Sequence, residues 1–171
     1  MIERVCVVGN TASGKSFFAG QIGRGLGLPV IHLDKIYWQP GWDHISVEEF
    51  LDEQHSLIAQ EKWVIDGCFS EFGLTQRFGA AGAVVFLDMP FWTCLRRAMG
   101  RRGDEREDLL AGADDRKIPA LLGLAFLAEI VLFGLLDRPR ILAAARRTGV
   151  PLIRVRNWAD EPAALAALRT F

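Results

Sequence analysis

The sequence contains little lysine and little cysteine, and neither sign of charge is in excess. Its 20 basic residues, of which only four are lysine, stand against 21 acidic residues and give a formal net charge of -1. Non-specific binding to nucleic acid depends on a basic surface, and the sequence shows neither a helix-turn-helix nor a base-stacking platform. These absences argue against direct nucleic-acid binding.

The chain also lacks the residue spacings that mark metal sites and disulfide frameworks. Its three cysteines include no Cys-x-x-Cys pair, and its three histidines form no metal-binding or triad pattern. The residues before the first apolar run do not have the pattern of a signal peptide. Together these features predict a reducing, cytoplasmic location.

One long hydrophobic run, at 118–136, is interrupted mainly by Glu129. Its length approaches that of a membrane span, but a charge near the middle of the span is costly in lipid. A helix that is apolar on all sides is otherwise buried. We expect this segment to be buried in the core and expect no membrane binding, with a homodimer contact or a lipid contact as the alternatives.

Residues 9 to 16, GNTASGKS, match every required position of the P-loop pattern G-x-x-x-x-G-K-S/T. An apolar run precedes the motif and a helix-compatible run follows it, which is the context that the motif requires. Lys15 would bring a cation to the β- and γ-phosphates, and the Ser16 hydroxyl would bind Mg²⁺. The predicted nucleotide-binding residues are Gly9, Asn10, Thr11, Ala12, Ser13, Gly14, Lys15 and Ser16. The motif predicts ATP binding; the alternative is a glycine-rich turn with an accidental lysine.

Five short apolar runs alternate with helix-compatible segments along the chain. The runs lie at 4–8, 30–33, 63–65, 83–87 and 152–155. Strands that are apolar throughout and separated by helices are typical of a parallel sheet covered on both faces. The sequence therefore predicts a three-layer α/β fold with a five-stranded parallel sheet, formed by a single domain over 1–171.

Aspartates follow three of these runs, at positions 34, 66 and 88. Ligands of open α/β sheets bind at the carboxyl ends of the strands, so we expect these carboxylates to meet near the P-loop. Asp66 follows a hydrophobic run, as a Walker B aspartate does, and would help to hold Mg²⁺. The alternative role for Asp66 is to cap the turn that follows the strand.

Asp34 is followed by three large aromatic residues, Tyr37, Trp38 and Trp42. A carboxylate in this position could accept a proton from an attacking hydroxyl group, or hold the acceptor and the metal. Aromatic side chains commonly wall a small-molecule pocket. The alternative is a Pro/Gly loop held in place by buried tryptophans.

Two arginines near the fourth strand, Arg97 and Arg101, are predicted to be catalytic. The polar region at 100–117 has the composition of a lid, and arginines that close over a transferred phosphoryl group stabilise its charge. Arg138 and Arg140 are weaker predictions for the same role. The alternative for all of them is a solvated helix end whose charges pair locally.

The segments GNTASGKS, LPVIHLDKIYW, WVIDG, VVFLDMP, CLRRAMGRR and RPRI resemble the adenylate-kinase-like P-loop kinases. The resemblance is closest to the short bacterial members often labelled DNA topology modulation proteins. It implies the strand order 2-3-1-4-5, a short lid after strand four, and ATP with Mg²⁺. Asp66 and Gly67 resemble the Asp-Gly pair of the acceptor strand, although Cys68 follows where the family has proline. The family's next arginine is missing, and we consider Arg77 as its replacement.

These features favour a kinase that transfers the γ-phosphoryl group of ATP to a small-molecule acceptor. Lys15, Asp34, Arg97 and Arg101 would be its catalytic residues. A nucleotide-dependent regulatory ATPase, or an ATPase docked through the 118–136 segment, is the alternative. A GTPase is disfavoured because no Asn-Lys-x-Asp segment occurs, and an ABC or AAA motor would need a longer chain.

Overall fold

The computed structural model describes residues 2–100 and 120–170, with side chains from residue 123 onward in the second range. In chain order, the elements are β1 (Arg4–Gly9), α1 (Lys15–Leu26), β2 (Val30–His32), α2 (Leu33–Tyr37), β3 (Trp38–Gln39), β4 (Asp43–His44), α3 (Val47–Ile58), β5 (Trp63–Asp66), α4 (Leu74–Ala80), β6 (Ala83–Leu87), α5 (Phe91–Gly100), α6 (Ala120–Leu132), α7 (Asp137–Thr148), β7 (Leu152–Val155) and α8 (Glu161–Leu168).

Five of the strands form one parallel sheet in the order β2-β5-β1-β6-β7. Strand β1 lies in the centre, with Val7 paired to Asp66 on one side and Gly9 paired to Leu87 on the other. This is the predicted 2-3-1-4-5 order, and the predicted fold class is confirmed. The β1 register places the start of the P-loop beside the ends of β5 and β6.

The hydrophobic core lies on both faces of the sheet because successive side chains of each strand point to opposite faces. Val5 and Val7 pack with α1, α5 and α8 on one face. Cys6 and Val8 pack with α3, α4 and α7 on the other. Burial on both faces explains why the three central strands, β1, β5 and β6, are almost wholly apolar rather than alternating.

The second strand ends one residue earlier than predicted, because Leu33 begins the short helix α2. Leu33 is fully buried against Gly67, where a Cβ atom would lie only 2.8 Å from the Leu33 Cβ. Asp34 therefore lies in the first turn of a helix rather than at a strand end. The following residues form an antiparallel hairpin, β3 with β4, that the sequence did not predict.

The apolar segment at 118–136 contributes helix α6 and the turn after it, and its predicted burial was wrong for one face. Ile130 and Phe133 are buried, whereas Leu124, Val131 and Leu135 are exposed, Leu135 at 75%. In the part of the chain that the structure describes, no helix combines the length and apolarity needed to span a membrane. Of the predicted lid at 100–117, residues 101–117, with Arg101, lie outside the described residues.

Candidate active site

The P-loop connects β1 to α1 through backbone conformations that glycine permits. Gly14 has φ 97°, and a Cβ atom there would lie 2.4 Å from Cζ2 of Trp158. A Cβ on Gly9 would lie 2.6 Å from the Leu87 carbonyl oxygen. Ala12 also has a positive φ, 59°, a conformation that is uncommon for alanine and is often found at functional loops. The two glycines of the motif are thus required by close packing as well as by backbone geometry.

Lys15 and Ser16 lie at the start of α1, where the helix dipole favours an anion. The first turn of α1 contains no acidic residue. The Lys15 ammonium donates a hydrogen bond to the Asn10 carbonyl oxygen at 2.9 Å, so its side chain folds back over the loop. This arrangement suits the binding of a phosphate chain inside the loop.

Helix α6 is joined to the P-loop by two hydrogen bonds. The side-chain amide of Asn10 donates to the Ile130 carbonyl oxygen at 2.9 Å, and the Thr11 hydroxyl donates to a Glu129 carboxylate oxygen at 3.0 Å. Glu129 has a large solvent-exposed surface overall, but its carboxyl group is desolvated. This desolvation raises the pKa of the carboxyl group above its ordinary value. Nearby Lys15 opposes this shift. In the sequence, the only sign of this contact is the charged residue Glu129 inside the apolar run at 118–136.

We expect ATP affinity to fall as the pH rises through the pKa of Glu129, because ionisation places a negative charge beside the phosphate site. The raised pKa also means that this carboxyl contributes stability below its unfolded-state pKa, and that this stability is lost as the pH rises through the folded-state value. Glu129→Gln should remove both dependences and tighten ATP binding at high pH by on the order of 1 kcal/mol. Calorimetric titrations and thermal unfolding across pH measure both effects.

The matched control for this prediction is Glu53→Gln, because Glu53 is an exposed glutamate on α3. This variant should keep the pH dependences of the unmodified protein. An identical ATP affinity profile for Glu129→Gln and the unmodified protein would show that Glu129 has no electrostatic contact with the nucleotide.

A cavity of about 1000 Å³ extends from the P-loop to the α2 and hairpin region. Thr11, Lys15 and Ser16 line it at one end, and Asp34 lines it as well. The structure thus brings the phosphate-binding residues and Asp34 into one continuous space. Neither Asp66 nor Asp88 lines this cavity, so the predicted convergence of all three strand-end aspartates was wrong.

An aromatic wall, defined here as Trp38, Trp42 and Phe126, bounds part of the cavity. The Trp38 and Trp42 ring centroids lie 5.9 Å apart, and Phe126 of α6 lies 5.9 Å from the first and 6.2 Å from the second. All three pairs meet edge to face, the geometry that aromatic quadrupoles favour. Trp42 has φ 65°, which few non-glycine residues adopt.

A group of polar side chains lines the cavity near the start of α7. Arg140 contacts a Glu71 carboxylate oxygen at 2.8 Å and an Asp137 carboxylate oxygen at 3.9 Å. The Ser70 hydroxyl donates to Asp137. The sequence had marked Arg140 only as a weak prediction, since nothing in the local pattern shows that α7 faces the residues after β5.

Asp66 is 2% exposed and does not line the main cavity. One of its carboxylate oxygens lies 2.8 Å from Nδ1 of His32 on the neighbouring strand, while its other oxygen, Oδ1, has no hydrogen-bond partner. Across residues 2–100 and 120–170, no cluster of three metal-binding side chains occurs. The free Oδ1 and the cavity-lining Ser16 hydroxyl fit Mg²⁺, which takes few protein ligands and keeps waters and substrate phosphates.

Tyr37 and Arg77, both predicted to contact an acceptor, do not line the cavity. Tyr37 packs against Phe50 and Phe69 at centroid distances of 5.1 Å, and burial raises the pKa of its hydroxyl group. Gly67 likewise does not line the cavity but leaves room for Leu33. Tyr37 thus packs against the core behind the site, whereas the following Trp38 and Trp42 line the cavity.

Arg77 is 1% exposed, and its guanidinium binds other parts of the protein. It donates to the Gln54 side-chain oxygen at 2.8 Å and to the carbonyl oxygens of Cys68 and Phe69. The structure therefore gives Arg77 a positioning role for the segment after β5, in place of the acceptor contact predicted from the sequence.

Replacing Arg77 with methionine should lower the free energy of unfolding by roughly 3 kcal/mol, because several buried acceptors lose a charged donor. Chemical denaturation measures this change. Arg24→Met is the matched control, since Arg24 also donates to a glutamine oxygen, at 2.9 Å, but on the exposed surface. Equal losses for the two variants would show that the buried contacts of Arg77 do not stabilise the fold.

Arg97 contacts the P-loop from α5. Its guanidinium donates to the Ser13 carbonyl oxygen at 3.1 Å and lies 4.8 Å above the Trp158 ring, within cation–π range. The neighbouring Ala98 lines the cavity. Trp158, which also packs against Gly14, was not found from the sequence because a single tryptophan after the last strand belongs to no motif.

Asp88 and Arg138 face a separate, smaller cavity of about 430 Å³. Arg138 donates to one Asp88 oxygen at 3.0 Å, and Arg154 donates to the other. Arg138 is thereby paired at the end of β6, away from the cavity that contains Lys15.

The structure is similar to those of several shikimate kinases. For the enzyme from Acinetobacter baumannii in complex with shikimate, the TM-score is 0.64 at 16% identity, and the match covers 99% of this chain and 93% of that one. For the enzyme from Bacteroides thetaiotaomicron, the TM-score is 0.59 at 16% identity, with 99% and 98% covered. For the enzyme from Aquifex aeolicus, it is 0.54 at 17% identity, with 98% and 94% covered.

No protein-family model matches the chain, and no curated protein sequence matches it. At identities of 16–17%, the structural likeness shows the fold alone. The chain shares the α/β fold of these enzymes. The narrower likeness to the DNA topology modulation group is not shown by the comparisons.

Proposed function

We propose that this protein is an ATP-dependent kinase that phosphorylates a small molecule. The observation that carries the proposal is the single cavity that joins the P-loop to Asp34 and the aromatic wall. A nucleotide switch needs the phosphate site, but it has no need for a second half of the cavity lined by a carboxylate and tryptophans. Membership of the short bacterial group and a cytoplasmic location belong to the same proposal.

The donor half would be formed by the P-loop. Its backbone amides and Lys15 would hold the phosphates of ATP, and Arg97 would support the loop through its contact with Ser13. Ser16 and Asp66 would hold Mg²⁺, which supplies positive charge to the phosphates when it is bound. Arg101 stays a prediction for the same charge-stabilising role.

In the acceptor half, Asp34 would act as the base. The acceptor hydroxyl oxygen forms a bond to the γ-phosphorus while the bond from that phosphorus to the bridging oxygen breaks, and ADP leaves with the electron pair. The hydroxyl proton passes to the Asp34 carboxylate. Positioning and electrostatic stabilisation supply most of the catalysis in such transfers, so a preformed cavity with fixed charges suits the reaction.

The structural neighbours support a small-molecule acceptor, because one of them was solved with shikimate bound. Shikimate is the ligand of that protein, and the acceptor of this chain needs its own determination. A direct test measures ATP consumption with Mg²⁺ against a panel of nucleosides, nucleotides, sugars and amino alcohols. A kinase should consume ATP faster when its acceptor is present. A low rate that no acceptor changes would favour the regulatory ATPase instead.

A further inference from the structure

We infer that the acceptor is an alcohol with a large apolar body, such as a hydrocarbon ring, rather than a sugar, a nucleotide or another polyol. This inference rests on the proposed function and names the substrate class of the same cavity. Two features of the cavity wall point to it: its polar side chains are bound to one another, and its apolar side chains keep exposed surface.

The polar side chains at the acceptor end already interact within the protein. Arg140 binds Glu71 at 2.8 Å and lies 3.9 Å from Asp137, which also accepts a hydrogen bond from the Ser70 hydroxyl. Asp34, the proposed base, has an interaction within the protein as well. Each additional hydroxyl group of a ligand loses water on entry and needs a hydrogen-bond partner in return. A polyol would therefore have to break or share contacts that the wall already makes.

The same set of polar contacts continues to the P-loop. The Lys15 ammonium donates to the Asn10 carbonyl oxygen at 2.9 Å, and the Thr11 hydroxyl donates to a Glu129 carboxylate oxygen at 3.0 Å. Lys15 and Asp137 both act electrostatically on Glu129, so the P-loop and the start of α7 lie close to each other. The polar lining is thus one connected set, and its P-loop members are needed for the phosphates of ATP.

The apolar side chains of the wall, in contrast, remain partly exposed. Leu127, Leu132 and Leu136 line the cavity and are 39%, 41% and 48% exposed. The aromatic wall borders the same space, and its rings are held by mutual edge-to-face contacts. Covering exposed apolar surface with an apolar ligand is favourable in proportion to the area removed from water. The wall therefore favours a ligand with a hydrocarbon body.

The position of this surface assigns it to the acceptor rather than to an external partner. It belongs to the same cavity as Lys15 and Ser16, and a volume of about 1000 Å³ is at the upper end for small-molecule sites. A ring-sized acceptor therefore fits beside the phosphates of ATP. Leu124 and Leu135 are still more exposed but do not line the cavity, so a partner on the outer surface would cover these two leucines instead.

The test compares two alcohols that share one carbon skeleton. Cyclohexylmethanol has an apolar ring, whereas 5-(hydroxymethyl)cyclohexane-1,2,3,4-tetrol carries four further hydroxyl groups on that ring. Each is titrated into the full-length protein saturated with Mg²⁺ and a non-hydrolysable ATP analogue, and tryptophan fluorescence reports binding. We expect cyclohexylmethanol to bind at least about tenfold more tightly than the tetrol, because the added hydroxyl groups lose water without full compensation. The additional methylene of 2-cyclohexylethanol should tighten binding by a further factor of about three.

Variants localise the preference to the cavity wall. Leu127→Ala and Leu136→Ala should each weaken the binding of cyclohexylmethanol by roughly threefold to tenfold and leave that of the tetrol nearly unchanged. The matched controls are Leu124→Ala and Leu135→Ala, which remove neighbouring leucines that do not line the cavity and should bind like the unmodified protein. All four side chains are exposed, so these substitutions leave the core intact.

Three results would overturn the inference: equal or tighter binding of the tetrol, no saturable binding of cyclohexylmethanol, or equal effects of the wall variants and their controls. The proposed function fails separately. If the ATP analogue does not bind, the proposed function fails. If the analogue binds and the preference for the apolar ring is absent or reversed, only the assignment of an apolar acceptor fails.

Discussion

Replacing Lys15 with alanine should lower the rate of phosphoryl transfer by roughly 10²- to 10³-fold, the effect of removing one preorganised donor to transition-state charge. The Lys15 ammonium donates to the Asn10 carbonyl oxygen of the P-loop, and Lys15 lines the cavity. Because the charge on the transferred group grows in the transition state, the loss should appear mainly in kcat. Steady-state ATP consumption with an identified acceptor measures it.

The control is Lys62→Ala, which removes a half-exposed lysine whose partner is Glu3, at 3.3 Å, far from the P-loop. This variant should retain full activity. If Lys15→Ala kept its activity while remaining folded, GNTASGKS would be a structural turn rather than a nucleotide site, and the proposed function would fall with it.

The second large effect is expected for Asp34. Asp34→Asn keeps the shape of the side chain but removes the proton acceptor, so kcat should fall by roughly 10²- to 10⁴-fold, the usual contribution of a general base. The dissociation constant of ATP should stay unchanged, because the P-loop is intact. Single-turnover kinetics and an ATP titration separate the two quantities.

Asp52→Asn, on the exposed face of α3, is the matched control and should behave like the unmodified protein. A weakened ATP affinity with unchanged kcat for Asp34→Asn would assign Asp34 to the donor side. Full activity would remove it from the mechanism altogether.

Much of the fold could be predicted because its determinants are local. The run Ala83–Leu87 is a strand with the predicted bounds, since a strand buried on both faces must be apolar over its whole length. The run Leu152–Val155 also has its predicted bounds, although Arg154 interrupts it and only Val155 is fully buried. Ser46 and Glu49 form the capping box that their spacing indicates. The strand order was available through the resemblance to P-loop kinases, not through the composition of the strands.

The site was predictable only in part, because residue type does not reveal where a side chain points. Tyr37 and Trp38 are adjacent and both aromatic, yet one packs into the core and the other lines the cavity. Arg77 was expected to bind a ligand and instead holds the backbone after β5. The direction in which each side chain leaves the backbone decides whether it reaches the core or the cavity. No local sequence pattern encodes this direction.

The sequence alone specifies the phosphate-binding loop, because residues 9 to 16, GNTASGKS, contain its glycines, lysine and serine in one continuous segment. Folding specifies everything that comes from distant segments: Glu129 and Ile130 on the P-loop, Trp158 beneath Arg97, and Phe126 against the two tryptophans. These contacts join residues separated by up to 120 positions, and they form only when helices from both ends of the chain pack on the same sheet. The local sequence therefore encodes the phosphate-binding loop itself, whereas long-range packing supplies the residues that support this loop and completes the acceptor half of the cavity.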